Sequence, residues 1–226
     1  MDDKIFKALA EFGKKYQDRY LYSQCEKEKL KTLLTTDWYE ALKFFFDRSF
    51  MRGRRDELSN TFLERTLNVL NGFFKEIKIE ELGQNQVWKE NLLDKLEKAG
   101  VNNKTDRKMV VSNIDFIIKI DGNNLINYTL EKIDNHKIQE IYNELYNEPD
   151  GICGVGDKIA SFFLRDLVCI FDRENELKKN EEIFLQPIDT WVGKVSKKLL
   201  QLDKPHIEKA LSGNKKSLQS LKEAKI

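Results

Sequence analysis

Gly151-Ile-Cys-Gly-Val-Gly-Asp-Lys158-Ile-Ala-Ser-Phe-Phe-Leu-Arg-Asp-Leu-Val168 is the stretch whose reading decides this chain. It reads as a tight Gly-x-Gly turn feeding directly into an amphipathic helix. Glycine there permits φ > 0 and lets the backbone approach a ligand without an intervening Cβ. The helix that follows aims its unpaired N–H groups and positive dipole end at that turn, so the fitting partner is an anion. Lys158, in the first helical turn, goes against the dipole, which disfavours cations at a helix start. A residue that breaks a local rule beside a glycine turn is a candidate functional residue.

Outward from this stretch the chain reads as helix almost throughout. Apolar residues recur at three- and four-residue spacing, and β-branched alternation is rare. Ile5, Leu9, Phe12 and Tyr16 form one stripe, within a helix over about residues 2–22. Thr36-Asp37 can cap a second helix, with Trp38, Ala41, Leu42, Phe45 and Phe46 inward. Ser59 starts a third, Gly83 separates it from a helix carrying Trp88, Leu92 and Leu96, and Gly100 ends that one. Thr105-Asp106 opens the next, and Asp121-Gly-Asn-Asn124 is a turn. A helix with Ile138, Ile141 and Leu145 stops at Pro149, just before the decisive stretch. A final pair is expected over about 189–202 and 205–212. The fold class is all-α.

Composition limits the function classes. A chain of 226 residues with 40% hydrophobic and 11% aromatic content can form one large domain or two closely packed lobes. No apolar run approaches the roughly 20 residues of a membrane span, and Met1-Asp-Asp-Lys-Ile-Phe lacks the apolar core of a signal peptide. Cys25, Cys153 and Cys169 have no CxxC spacing, which argues for a reducing compartment and against a zinc site or disulfide framework. His136 and His206 are too separated for a metal cluster, so no metal is expected and the cytoplasm is the expected location. Net charge is +1, but Thr190–Ile226 holds nine lysines against three acidic residues, and Arg48-Ser-Phe-Met-Arg-Gly-Arg-Arg55 is a second basic knot. Such segments are commonly solvated faces; they are also what a polyanion would meet.

The charged run Asp172–Glu182 interrupts the apolar periodicity and is expected to be an exposed connector. Beyond it, Pro187 disfavours helix at Gln186 and can open a new helix, with Asp189 in its first turn as a cap.

Together these elements resemble the helix-hairpin-helix DNA glycosylase superfamily. Ile152-Cys-Gly-Val-Gly-Asp-Lys-Ile-Ala160 is similar to its Leu-Pro-Gly-Val-Gly-x-Lys-x-Ala hairpin, with Cys153 where proline is usual. Gln186-Pro-Ile-Asp-Thr-Trp-Val192 is similar to its Pro-Val-Asp-x-His-Val segment, with Trp191 where histidine is common. The likeness covers about residues 150–200. The four-cysteine iron–sulfur loop of some members is absent, and the long interval from Lys158 to Asp189 is most like the archaeal-type 8-oxoguanine branch.

The resemblance implies two helical lobes with a DNA cleft between them, one of residues 37–185 and one of 1–36 plus 186–226. It implies a bifunctional glycosylase and AP lyase acting as a monomer on double-stranded DNA with an oxidised base, in the cytoplasm and associated with the nucleoid. Lys158 would be the nucleophile and Asp189 the carboxylate that stabilises charge at C1′. Burial and the positive helix end would both favour a neutral Lys158 amine. Asp172, nearer Lys158 in sequence, is a rival carboxylate. The amides of Gly154, Val155 and Gly156 would face a backbone phosphate, and their carbonyls could share a monovalent cation. Met51, Arg52, Arg54 and Arg55 are candidates for the wedge that fills the gap of a flipped base, and Gln186 and Trp191 for base contacts. Oxidised pyrimidines are the alternative substrate, and a non-enzymatic DNA-binding module the alternative class.

Overall fold

The computed structural model describes residues 3–22, 25–51, 53–146 and 151–187, with the side chains of 3–6, 8–10 and 20 left aside. Among these residues the structure is all helix and turn, with no strand. Nine α-helices run in the order α1 Asp3–Tyr16, α2 Lys27–Thr36, α3 Trp38–Ser49, α4 Asp56–Glu76, α5 Val87–Lys98, α6 Lys104–Ile117, α7 Leu125–Asp134, α8 Ile138–Leu145 and α9 Asp157–Ile170. A π-helical turn, Gln17–Leu21, extends α1. The expected helices at 189–202 and 205–212, and the 188–226 part of the expected second lobe, lie outside the described residues. Leu21 and Leu34, from the segment assigned to that lobe, belong to the same apolar core as α3 to α9.

Among the described residues side-chain caps start α3, α6 and α7. Asp37 accepts from the amides of Tyr39 (2.8 Å) and Glu40 (3.2 Å), as expected for α3. Asn103 does the same for α6 and Asn124 for α7, so Asn103 rather than Thr105-Asp106 opens α6. The sequence reading passed over α2 and α7. Helix α4 begins at Asp56, one turn before Ser59, whose hydroxyl is buried and accepts from Arg54 Nε at 3.0 Å.

Helices α5 and α9 are closed by left-handed residues. At α5 the amide of Val101 donates to Leu96 O (3.0 Å) and that of Gly100 to Glu97 O (2.9 Å), with Gly100 at φ 82° and Val101 and Leu96 fully buried. A Cβ on Gly100 would lie 2.7 Å from Arg65 Nη1, which donates to Gly100 O. Gly100→Ala is therefore expected to lower stability by about 1–2 kcal/mol from the left-handed backbone alone, read as a lower urea midpoint at unchanged m. Asp172 ends α9 the same way at φ 57°, with the Arg173 amide donating to Val168 O at 2.9 Å.

Helices α3 and α9 form the centre. Phe44 and Phe45 pack on Phe163, the Phe45 pair edge to face at 4.9 Å. One turn further along both helices Arg48 Nε donates to Asp166 Oδ2 at 3.1 Å. Asp166 is almost wholly buried and also accepts from Arg165 (2.9 Å) and the Tyr16 hydroxyl (3.4 Å). Arg48 lies flat on the Phe44 ring, 3.5 Å from its centre.

Burial first, then the Asp166 charge, pushes the Tyr16 phenol up to about 12; burial does the same for Tyr39. Tyr22 and Tyr142 move upward as well, again chiefly through burial. These folded-state values lie above the ordinary 10.0. Their contribution to stability is thus complete below pH 10 and lost as pH rises through 12. The urea midpoint should fall steeply over that window, with tyrosinate absorbance rising together with unfolding. A Tyr16 or Tyr39 phenolate appearing at pH 10 in a still-folded chain would contradict this.

Candidate functional site

The decisive stretch forms a tight turn between α8 and α9. Ile152 and Val155 are fully buried and anchor it. The Ile152 amide reaches back to Leu145 O (3.3 Å), and the Val155 amide donates to Ile152 O (3.0 Å), closing the turn. Gly154 takes φ 76°, the left-handed conformation for which glycine was expected. Gly156 is exposed and extended, and as the residue before α9 it offers no side-chain cap. One expectation is corrected: Val155's amide serves the turn itself and does not face outward.

The Cys153 amide donates to Ser112 Oγ on α6 at 3.0 Å. Proline, usual here in the resembling hairpin, has no N–H to give. The departure at Cys153 thus ties the turn to α6.

Lys158 stands in the first turn of α9 with an exposed side chain. This corrects the expected burial against the apolar helix face. Its neighbour Asp157 points inward, is buried, and accepts from the Tyr142 hydroxyl at 2.6 Å. The two residues divide the helix start between core and surface.

The connector is for the most part exposed, as expected, and is pinned at a few points. Arg173 pairs with Asp134 at 2.7 Å, Glu181 is buried, and residues 182–185 form a 3-10 turn packed on α8 and α9. Glu181 lies 3.6 Å from His136, just before α8, and Phe184 packs on Tyr142 in the middle of α8, with ring centres 5.2 Å apart. The chain thus runs parallel to α8, toward the end that leads into the turn. Gln186 follows there, exposed. Asp189 and Trp191 lie outside the described residues.

Asp172 is removed as a rival carboxylate. It sits beyond the far end of α9, and the twelve steps from Lys158 to Ile170 span about 18 Å of helix. Its side chain pairs with Lys27 and Lys31, and these bonds hold its carboxyl below the usual range.

Arg48 pairs with Asp166, eight residues or about 12 Å along α9 from Lys158, and Met51 follows Arg48. Met51 is half-buried and Arg55 exposed. Arg54 is corrected as a DNA contact: its guanidinium pairs with buried Asp106, donates to Phe50 O at 3.2 Å, and lies over the Phe62 ring. Arg52 lies outside the described residues.

Among the described residues no group of three or more His, Cys, Asp or Glu side chains could hold a metal, and no helix is long and apolar enough to cross a membrane. Comparison of the chain with protein-family models, with curated protein sequences and with solved structures gave no match.

Proposed function

We propose that this chain is a bifunctional DNA glycosylase and AP lyase that removes an oxidised base, 8-oxoguanine foremost. The supporting observation is a convergence at one end of α9. An exposed lysine follows a glycine turn with no side-chain cap, and the return segment 181–186 runs back along α8 toward that same end. Asp189 is two residues beyond Pro187, at most about 7 Å of extended chain.

The start of α9 and its turn receive a backbone phosphate, a contact without sequence information. With the damaged nucleotide turned out of the duplex, the Lys158 amine attacks C1′. The N-glycosidic bond breaks, and its electron pair leaves with the base, which takes up a proton. Asp189 stabilises the positive charge that develops at the sugar and accepts the amine's proton. The amine-bound sugar opens to a Schiff base. Loss of a C2′ proton then expels the 3′ phosphate and nicks the strand.

The test is borohydride reduction during incubation with an 8-oxoguanine duplex, followed by peptide mass spectrometry. An irreversible adduct on Lys158 is the expected outcome. DNA binding with no adduct would leave a non-enzymatic binding module and overturn the proposal.

A further inference from the structure

We propose that the exposed lysines of α6, Lys104 and Lys108, form a second backbone-phosphate contact beside the 152–156 turn, so that one duplex is held by both at once. This rests on the reading of the chain as a DNA-acting enzyme and extends the grip beyond the turn. The turn sits on α6 through the Cys153–Ser112 bond. A cavity of about 300 Å³ opens at that junction, lined by Cys153, Ser112, Lys108, Lys89 and Asp115. Lys104, Lys108 and Ser112 recur at four-residue spacing and so share one face of α6, leading directly to the turn.

The sign of that face follows from its ion pairs. Asp106 is fully buried against Arg54. Asp115 is held between Lys89 and Lys119; burial alone would raise its carboxyl, but the two lysines bring it below the usual range. Arg107 is occupied by Glu97 and by Val101 O. On α5, Asp94 pairs with Lys98. Lys104 and Lys108 remain, both exposed and without an ion pair among the described residues. They lie about 6 Å apart along the helix, against a rise of about 3.4 Å per nucleotide of a strand. Two cations at this spacing fit phosphates along one backbone and carry no base preference.

The experiment measures binding of the full chain to an undamaged fluorescent duplex by anisotropy across a salt series. For Lys104→Gln/Lys108→Gln, the slope of log affinity against log salt should lose about 1 for each lysine. Lys178→Gln/Lys179→Gln, which removes two exposed connector lysines, should leave the slope nearly as it was. An unchanged slope in the α6 variant, or an equal loss in both variants, overturns this inference while the enzymatic reading stands. A wild-type chain that binds no duplex overturns both.

Discussion

Lys158→Ala is expected to abolish borohydride trapping and to lower strand nicking at 8-oxoguanine by about 10⁴-fold or more, the scale on which losing a nucleophile acts. The fold should not notice. Lys158 is exposed, and a surface substitution of this kind changes stability by about 0.5 kcal/mol or less. Loss of nicking at an unchanged urea midpoint therefore separates chemistry from folding. Two companion variants sharpen the result. Asp189→Asn should lose base excision while retaining duplex binding. Asp172→Asn should keep full activity, because that carboxylate closes the opposite end of α9 between Lys27 and Lys31. Full loss in Asp172→Asn would sink the assignment of the two carboxylates.

Arg48→Ala carries the largest expected cost to stability. It leaves Asp166, 1% exposed, with Arg165 and the Tyr16 hydroxyl as its remaining partners. Breaking a buried pair costs about 3–5 kcal/mol, and the two remaining partners put the expectation near the lower end. Against a total stability of about 5–15 kcal/mol, that is enough to bring the urea midpoint down sharply. The paired replacement Arg48→Met/Asp166→Leu removes both charges together and should cost far less than Arg48→Ala, since it strands no charge. If the double variant is as unstable as the single one, the loss comes from packing on Phe44 rather than from the uncovered carboxylate.

The all-helical class was legible because apolar spacing is a local property that packing merely uses. Asp37 and Gly100 were legible for a similar reason: a cap and a left-handed terminus depend on one residue and its own backbone. Helices α2 and α7 were missed where lysine, threonine and asparagine dilute the stripe; Asn124 was read as part of a turn, although it also caps the helix that follows. Arg54 was misread because a basic run on paper carries no mark of what lies beneath it, and its partner Asp106 is 52 positions away. Val155's amide closes the turn on Ile152 O, a bond within the stretch that apolar periodicity does not encode. The Cys153 departure looked like noise in a motif until its amide was seen to have an acceptor on α6.

The Arg48–Asp166 pair joins positions 118 apart, and the Tyr16 hydroxyl reaches Asp166 across 150. A growing chain therefore makes α3 long before its charge has a partner. At about 5–20 residues per second of synthesis, Arg48 waits roughly 6–24 s for Asp166 to be made. During that interval the face of α3 that will receive α9, with Phe44 and Phe45 on it, is uncovered. Native packing arrives only with the helix that carries Lys158, so a chain truncated before α9 should be a client for chaperones rather than a stable fragment.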